Sequence, residues 1–537
     1  MAKRNGNGEK VKSLESWIWD AACSIRGAAD AAKFKDFILP LIFVKRLCDV
    51  YDDEIDRIAE KMNSRSKALQ LVERDKTLVR FYMPIKPKDP DNESTWDVIR
   101  TLSDKIGETL TGILRSVADE NPDLKGIIDR IDFNATTHGQ RDIDDDRLST
   151  LIEKIAKKRL GLKDVEPDII GRSYEYLIRK FAEGSGQSAG EFYTPAEVGL
   201  IMAKIMDPEP GMEIYDPTCG SGGLLIKCEL VMDEKMQREK KERYASLKLY
   251  GQEFIASTWA MSKMNMVIHD MEGEIEIGDT MKNPKFRTRN MLRTFDRVVA
   301  NPMWNQGRDS LPYIKDDFFI HDELERFPAG SCGGKVDWGW VQHIYSSLND
   351  TGRAAIVLDT GAASRGSGNQ GTNKEKTCRK WFVDNDVLEG VIYLPENLFY
   401  NTSAPGIIIF LSRNKVHKDK VYLLHAGKEF EKGDPKNYIP DAGIERIATT
   451  YKNFTEEEKF ARLVDKEEII KNDYNISPSR YIQITDAETY RPIEEIVEEL
   501  NGLENEAVGI DEELKNIFRK LGVRLTTGKI VKLKTLF

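Results

Sequence analysis

The sequence predicts an α/β protein built on a doubly wound, seven-stranded sheet, with a helical domain before the sheet and a helical tail after it. From about residue 190 onward, short apolar runs recur, each followed by a turn and then by a helical pattern. Strands that alternate with helices in this way are typical of a mostly parallel sheet with helices on both faces. The predicted strands are residues 212–216, 247–253, 274–279, 295–301, 353–359, 388–395 and 406–412.

The first 160 or so residues show a different pattern, with apolar side chains at three- and four-residue spacing. The stretches SWIWDAACSIRG, KFKDFILPLIFVKRLCDVYDDEIDRIAEKM and DVIRTLSDKIGETLTGILRSVADE carry this pattern. Glycine and strand-like alternation are scarce there. We therefore expect a helical N-terminal domain that ends near Glu166–Pro167.

Polar segments interrupt the sheet region and close it, and a helical tail follows. Residues 361–377 are rich in Gly, Ser and Asn and are predicted to form a mobile loop, while residues 427–445 are expected to close the sheet domain. Beyond them, TEEEKFARLVDKEEIIKN is predicted to be helical, and the segment from Pro492 has apolar positions at coiled-coil-like spacing. From Leu514 onward there are seven Lys or Arg residues and no Asp or Glu.

Composition excludes several classes of protein. A chain of 537 residues suggests about three or four compact units. The net charge of -10 excludes a uniformly basic DNA coat protein, so nucleic acid would be met through local basic patches or a partner. Six cysteines without a CxxC pair and six scattered histidines argue against a disulfide framework and a metal site. Without an apolar leader or an apolar stretch near the about 20 residues of a membrane span, we expect a soluble, cytoplasmic protein.

A glycine-rich turn follows the first predicted strand. The segment from Tyr215 to Gly223, YDPTCGSGG, leaves that strand and opens the helix GGLLIKCELVM. Glycine lets the backbone approach a ligand closely, and a helix N-terminus presents free N–H groups to a carboxylate or phosphate. A lone glycine triplet is as often a plain strand–helix turn, so the neighbouring motifs decide between the two interpretations.

Each of the next three strands also ends in a polar, turn-forming signature. The second ends in Gly251-Gln252-Glu253, the third in Gly278-Asp279-Thr280 and the fourth in Asn301-Pro302-Met303-Trp304. In doubly wound sheets, ligands bind outside the carboxyl ends of the strands, and an acid after the second strand commonly accepts hydrogen bonds from a ribose. Each acid alone is more often a helix cap or a solvated turn. Four such ends in order predict a ligand site at this edge, with Asp279 suited to an adenine edge.

These motifs, taken together, resemble a known family. The order DPTCGSGG, GQE, GDT and NPxW, with GEFYTP at residues 190–195 upstream, is similar to the gamma class of N6-adenine DNA methyltransferases. The segments DIIGRSYEYLIRKFAEGSGQSAGEFYTP, LPENLFYNTSAP and DYNISPSRY resemble the modification (M) subunit of type I restriction–modification systems. The resemblance covers most of residues 10–500 and includes the helical flanks.

The resemblance implies S-adenosylmethionine as the cofactor, no metal, and contacts assigned by motif position. Glu253 would hold the ribose hydroxyls and Asp279 the adenine amino group, with Thr194 as a hydrogen-bond donor. The methionine end would be wrapped on one side by Asp216, Ser221, Gly222 and Gly223, and on the other by Glu191, Phe192, Tyr193, Thr194, Pro195 and Ala196.

The fourth strand end matches the family's catalytic motif, whose usual form is Asn-Pro-Pro-aromatic. The Asn301 side-chain oxygen and the Pro302 carbonyl would accept the hydrogens of the adenine N6, making that nitrogen more tetrahedral for in-line attack on the methyl group. Trp304 would stack on a base flipped out of the duplex, unless it is an ordinary core tryptophan. Met303 replaces the second proline and relaxes the constraints on both residues of the pair.

The expected function is therefore adenine-specific DNA methylation by the catalytic subunit of a type I complex. Because of Met303, a catalytically weakened or silent subunit that binds cofactor and DNA stays open. A stand-alone methyltransferase with its own target-recognition domain is disfavoured, since only about 120 mostly helical residues follow the last strand. The long helical flanks also disfavour methylation of protein glutamine or of RNA.

The resemblance also implies partners and a domain plan. The partners would be a specificity (S) subunit that selects the DNA site, a second copy of this chain, the restriction/translocase (R) subunit and double-stranded DNA, without a membrane. The expected domains are an N-terminal helical domain at residues 1–166, the methyltransferase domain at 167–430 and a C-terminal helical region at 431–537 that docks to the specificity subunit.

Overall fold

The computed structural model describes two compact units, Met1–Ile482 and Gln483–Phe537. The described residues are 14–24, 35–137, 140–165, 173, 176, 194–241, 245–307, 309–369, 371–399, 402–433 and 436–483, with isolated positions 510, 513, 514, 516, 517 and 520.

The N-terminal part of the first unit is helical, as predicted. The 28-residue helix Lys35–Met62 is its longest element and contains Pro40 near its beginning. Two shorter helices are capped by side chains: Ser64 accepts a hydrogen bond from the Lys67 N–H, and Asp144 accepts one from the Arg147 N–H. The helices are α1 (Leu14–Cys23), α2 (Lys35–Met62), α3 (Arg65–Arg74), α4 (Thr95–Arg100), α5 (Ile106–Glu120) and α6 (Asp145–Ala156), with 3₁₀ turns Lys76–Leu78, Pro122–Leu124 and Ile128–Arg130 and short paired strands β1 (Thr136–Thr137) and β2 (Gln140–Arg141).

The core of this helical region continues onto the sheet region. Buried side chains of α2, such as Leu41 and Tyr51, belong to one apolar cluster with Met261, Met264 and Ile268, which lie on a helix of the sheet region. Arg80 also donates to the carbonyl of Ile268 at 2.7 Å. The helical region therefore packs directly against a helix that flanks the sheet.

A nine-stranded mixed sheet forms the centre of the first unit, with the order β11-β10-β8-β9-β7-β6-β3-β4-β5. The neighbours from β7 through β6, β3 and β4 to β5 are parallel, β9 is antiparallel to β7 and β8, β10 is parallel to β8, and β11 is antiparallel to β10. The strands are β3 (Glu213–Asp216), β4 (Lys248–Glu253), β5 (Gly273–Ile277), β6 (Phe295–Ala300), β7 (Leu348–Asp359), β8 (Leu388–Tyr393), β9 (Gly406–Ser412), β10 (Lys420–His425) and β11 (Ala461–Asp465).

Helices connect most of these strands. Helix α7 packs against both α8 and α13. They are α7 (Ala196–Met206), α8 (Gly223–Glu239), α9 (Ala256–Ile268), α10 (Asp316–Ile320), α11 (Asp337–Ser346), α12 (Lys374–Asp384), α13 (Asp441–Lys452) and α14 (Lys466–Lys471), with 3₁₀ turns Thr360–Ala363 and Pro478–Arg480. Over the residues that the structure describes, no helix has the length and apolarity to cross a membrane.

All seven predicted strands are present, and the predicted doubly wound fold is confirmed. Two further strands, β10 and β11, extend the sheet. The expected domain boundary at residue 430 stays a prediction. The helix predicted for TEEEKFARLVDKEEIIKN is wrong at Ala461–Asp465, where β11 forms and pairs with β10. Its partner strand supplies the ladder hydrogen bonds, which the local apolar spacing of FARLVDKEEII does not reveal. The expected boundary near residue 166 adjoins residues outside the described part and stays a prediction.

The predicted loop at residues 361–377 is more structured than its composition indicates. It begins in the 3₁₀ turn Thr360–Ala363, where Ala362 and Ala363 are fully buried, and it ends in the first turn of α12. Between them, Arg365 forms ion pairs with three carboxylates. The prediction of a loop from the Gly, Ser and Asn content was therefore misleading, because ion pairs between charged side chains order this segment.

The order in which successive strands are added to the sheet switches sides at β3. The chain proceeds from β3 to β4 and β5 on one side and then crosses to β6 on the other side of β3. In open α/β sheets, the carboxyl ends of the strands at such a switch point form a crevice that binds ligands.

Candidate active site

A cavity of about 560 Å³ lies at this switch point. Its wall includes the side chain that ends β3, Asp216, the one that ends β4, Glu253, and residues just after β5 and β6, Asp279 and Asn301. The predicted convergence of four strand ends is therefore observed. The lining residues are Thr194, Asp216, Pro217, Thr218, Cys219, Gly220, Ser221, Gly223, Leu224, Gln252, Glu253, Phe254, Ile255, Thr258, Met261, Asp279, Thr280, Met281, Asn301, Met303, Gln306, Ser310, Leu311, Tyr313 and Trp340.

The glycine-rich turn is folded around two carboxylates. Asp216 accepts a hydrogen bond from the Thr218 N–H at 2.9 Å, and Glu253 accepts one from the Gly220 N–H at 3.0 Å. Gly222 has φ of 84°, and a side chain there would also approach the Ser262 hydroxyl to 2.9 Å. Glycine is thus required at position 222 both for its backbone conformation and for space.

Asp216 is a buried carboxyl group, only 1% exposed. Burial raises its pKa to about 8, and the nearby charge of Glu253 adds to the effect, while the Thr218 N–H opposes it. At neutral pH the carboxyl therefore holds a proton for most of the time. A positively charged ligand in the cavity would favour its ionised form.

The side chain of Gln252 connects the end of β4 to the loop after β5, a role that the sequence motif did not predict. Its fully buried side chain donates to the carbonyls of Gly278 at 3.1 Å and Asn283 at 3.0 Å, and accepts from the Lys285 N–H at 2.9 Å. Phe254, two residues after Gln252, is 70% exposed and lines the cavity. Its position in the sequence, as a large apolar residue directly after the acid that ends β4, could have indicated a role in the site.

Asp279 lines the cavity beyond β5 and is held by two contacts. It accepts hydrogen bonds from the Tyr313 hydroxyl and from the Lys282 N–H. Burial and the neighbouring Asp279 carboxylate together raise the pKa of Tyr313. No sequence pattern indicated Tyr313, which lies 34 residues along the chain from Asp279.

The segment after β6 presents Asn301 at the cavity. Its amide group donates to the Thr194 hydroxyl at 3.0 Å, and its side-chain oxygen accepts from the Trp304 indole N–H at 3.1 Å. A hydroxyl that accepts one hydrogen bond keeps its own proton for donation, as the role expected of Thr194 requires. Both ends of the Asn301 amide are therefore oriented by neighbours.

Trp304 is 8% exposed and contacts Phe399 edge-to-face, with ring centroids 4.7 Å apart. It is not among the described residues that form the cavity wall. Its expected stacking on a flipped base stays a prediction. In this structure its indole N–H supports Asn301 by donating to the Asn301 side-chain oxygen. Met303 does line the cavity, and its sulfur lies 3.5 Å from the Gln306 side-chain nitrogen.

The cavity wall contains seven of the twelve predicted site residues that lie in the described part of the chain. In its wall are Thr194, Asp216, Ser221, Gly223, Glu253, Asp279 and Asn301. Adjacent in the chain but not in the wall are Pro195, Ala196, Gly222, Pro302 and Trp304. Glu191, Phe192 and Tyr193 lie outside the described residues. Among described positions, no group of three or more His, Cys, Asp and Glu side chains is arranged to hold a metal ion.

The fold and the site together define an α/β methyltransferase with an Asn-Pro-x-Trp motif after its fourth central strand. The chain belongs to the N-6 DNA Methylase family, whose model matches residues 165–489, and residues 14–155 match the HsdM N-terminal domain. The first match extends past residue 430 and includes β11.

Related proteins are methylase subunits of type I restriction enzymes. The MjaVIII methylase subunit of Methanocaldococcus jannaschii is 36% identical over 376 residues, which are 68% of this chain and 61% of that one, less than two thirds of its length. The MjaIX methylase subunit of the same organism is 29% identical, over 96% of this chain and 92% of that one. The crystal structure of a type I methyltransferase subunit from Streptococcus thermophilus superposes with a TM-score of 0.65 at 27% identity, covering 88% of this chain and 99% of that one.

Proposed function

We propose that this chain transfers a methyl group from S-adenosylmethionine to the N6 amino group of an adenine flipped out of duplex DNA, at a site chosen by a specificity subunit. The observation that carries the proposal is the single cavity in which Asp216, Glu253, Asp279 and Asn301 meet. The membership in a family of DNA methylases supports the reaction class.

The residues present fit the cofactor. S-adenosylmethionine supplies an electrophilic methyl group on a sulfonium. In this proposal, Glu253 at the end of β4 accepts hydrogen bonds from the ribose diol. Asp279, whose carboxylate accepts a hydrogen bond from Tyr313, accepts one from the adenine amino group as well. Open space faces Gly220, since a side chain there would meet no atom within 4 Å, so the turn leaves room for a ligand.

Phe254 adds an aromatic contact to this assignment. Its side chain is 70% exposed and lines the cavity directly after Glu253. A planar heterocycle stacked on it would cover that apolar surface. We therefore assign Phe254 to the adenine ring of the cofactor.

Asn301 and Pro302 act on the target base. The Asn301 side-chain oxygen and the Pro302 carbonyl accept the two N6 hydrogens, which favours a tetrahedral nitrogen with an available lone pair. For this, the Asn301 oxygen exchanges or shares its hydrogen bond from the Trp304 indole. The Thr194 hydroxyl keeps the amide plane fixed meanwhile. Positioning of the nucleophile relative to the methyl group supplies the remaining acceleration.

Partner subunits supply the recognition of DNA sequence in this proposal. Ile510, Leu514 and Ile517 are exposed and follow the i, i+4, i+7 spacing of one helix face. Such a stripe fits docking to a helical partner, here the specificity subunit with two copies of this chain and an R subunit in the full complex. The net charge of -10 supports weak DNA binding by the chain alone.

The test is tritiated-methyl transfer to duplex DNA by the purified chain with and without its specificity subunit. We expect transfer only by the complex, and N6-methyladenine as the product after nuclease digestion. Deletion of residues 490–537 should abolish assembly while cofactor binding, measured by calorimetry, is kept. Cofactor and DNA binding by a complex without any transfer would favour the silent-subunit alternative that Met303 raises. Site-specific methylation by the single chain would overturn the assigned role of the partner.

A further inference from the structure

Asn305, the residue that follows the Asn301–Trp304 motif, is held through its N–H, its carbonyl and its side-chain oxygen. Its N–H donates to Asp337 at 2.9 Å, and its carbonyl accepts from the Lys335 ammonium at 3.0 Å. Its side-chain oxygen accepts from the Arg365 guanidinium at 3.1 Å. The φ angle of Asn305 is 57°, a left-handed conformation that costs free energy in a residue other than glycine. Asparagine tolerates this conformation better than most residues other than glycine, and these contacts fix the backbone turn.

Arg365 is the centre of this arrangement. It forms ion pairs with Asp337, with Asp359 at 2.9 Å and with Glu375 at 2.7 Å. These carboxylates belong to three different elements, namely the start of α11, the end of β7 and the first turn of α12. A planar guanidinium with five donors can satisfy several such partners at fixed angles, which a lysine ammonium cannot.

The Arg365–Asp337 pair reaches the motif through shared atoms. One carboxylate oxygen of Asp337 pairs with Arg365, and the other accepts from the Asn305 N–H. The Asp337 side chain is fully buried, so it depends on Arg365 for compensation of its charge. Movement of Arg365 would therefore move Asp337 and release Asn305 from two of its contacts together.

We propose that Arg365 is a positioning residue for methyl transfer, which fixes the Asn301–Trp304 motif through Asn305 and supplies rigidity that a second proline at position 303 would otherwise provide. The inference rests on the function proposed above. Arg365 acts through Asn305 and Asp337, and no contact with substrate or cofactor is assigned to it.

The first test measures the loop itself and needs no activity. In the Arg365→Lys variant, we expect faster hydrogen–deuterium exchange in the peptide spanning residues 301–307, because the contacts to Asn305 loosen. The matched control is Arg353→Lys. Arg353 is 23% exposed against 24% for Arg365, and it pairs with Glu389 at 2.7 Å near the opposite ends of the strands. This control should leave exchange at 301–307 unchanged.

The second test separates positioning from folding by kinetics of the assembled complex. Arg365→Lys should lower kcat roughly 10- to 100-fold, as a small misplacement of a reacting group does. The dissociation constant for S-adenosylmethionine should stay within about twofold, since the Glu253 and Asp279 half of the cavity is untouched. Met303→Pro, introduced into the Arg365→Lys chain, should recover part of the lost kcat and raise it by a larger factor than in the wild-type background.

Four results would contradict the positioning role of Arg365. Unchanged exchange at 301–307 in Arg365→Lys, or loosening of equal size in Arg353→Lys, would overturn the positioning role. So would an equal factor for Met303→Pro in both backgrounds, or a loss of cofactor affinity as large as the loss of kcat. A wild-type complex without methyl transfer would refute the proposed function, and the exchange measurement would still decide whether Arg365 holds the loop.

Discussion

The two halves of the cavity are built by different means. In the half formed by residues 216–223 and 253, carboxylates at strand ends accept hydrogen bonds from nearby backbone N–H groups. In the half formed by residues 301–307, side chains from remote segments set the geometry, including Thr194, Asp337 and Arg365. We call these the turn half and the loop half.

The two halves differ in what their supports contact. In the turn half, side chains bond to backbone groups, and the Asn265 amide and the Thr280 hydroxyl add to these contacts by donating to the carbonyls of Ser221 at 2.9 Å and Pro217 at 2.6 Å. The loop half depends on side chains bonded to one another, in a network in which each member supports the next. We expect changes in the turn half to affect cofactor affinity, and changes in the loop half to affect rate.

The largest effect should come from Asn301→Ala. This substitution removes the side-chain acceptor for the N6 hydrogens and leaves the Trp304 indole N–H without its acceptor in Asn301. We expect kcat to fall at least about 10²–10³-fold, comparable to the removal of a hydrogen-bonding group that acts on the transition state. Cofactor affinity by calorimetry should be unchanged.

Asn349→Ala is a suitable control for this change. Asn349 donates to Asp296 at 2.8 Å near the amino end of β7, away from the carboxyl edge that holds the cavity. The Asn349→Ala variant should keep the kcat of the wild type. A comparable loss in both variants would show that the rate responds to general destabilisation and would break the distinction between the halves.

The sequence predicted the residues at the strand ends better than the contacts that support the loop half, for a physical reason. Carboxyl ends of parallel strands meet at one edge, so motifs that follow predicted strands locate Asp216, Glu253, Asp279 and Asn301 together. The contact of Arg365 with Asn305 spans 60 residues and crosses a segment whose composition predicted a loop. Strand β11 was missed for a similar reason, since it is defined by its pairing with β10. The local sequence pattern locates the ends of strands, whereas the Arg365–Asn305 contact and the pairing of β11 depend on residues that are distant in the chain.

The second effect concerns the turn half and Glu253→Ala. This change removes the acceptor for the Gly220 and Ile255 N–H groups as well as the expected partner of the ribose hydroxyls. Unpaired groups of this kind cost about 1–3 kcal/mol, or roughly 5- to 150-fold in cofactor affinity. At saturating cofactor, kcat should recover to near the wild-type value. A loss of kcat that saturation does not restore would contradict the assignment of Glu253 to binding.

The third effect is a pH dependence of cofactor affinity from Asp216. Burial raises its pKa to about 8, and a cationic ligand requires the ionised form, so binding should release a proton below that pH. Affinity should then weaken about tenfold between pH 9 and pH 7. Calorimetry in buffers of different ionisation enthalpy measures the released proton. Asp216→Asn should bind more weakly and without this pH dependence, whereas a wild-type slope retained in Asp216→Asn would assign the titration to another group.

The same carboxyl group affects the stability of the ligand-free chain with a defined sign. Its folded-state pKa lies above the ordinary value of 3.8, so between about pH 4 and pH 8 the folded chain binds more protons than the unfolded chain. Stability from this group is therefore lost as the pH rises through that window. Thermal unfolding at pH 8 should show Asp216→Asn to be more stable than the wild type. Equal midpoints would indicate that the carboxyl is ionised without cost in the folded chain.

The smallest effect should be that of Met303→Pro in the wild-type chain. A proline at 303 would fix its own φ and restrict Pro302 to extended geometry, which pre-forms the loop half. In the wild type, Arg365, Asp337 and Lys335 already hold Asn305, so little freedom remains for a second proline to remove. We therefore expect kcat to change by less than about fivefold, within the range of a small change in backbone freedom. Single-turnover methyl transfer by the assembled complex measures it. A near-inactive wild type that Met303→Pro restores would show that side-chain contacts do not substitute for the proline, and the loop half would then be an incomplete catalytic site.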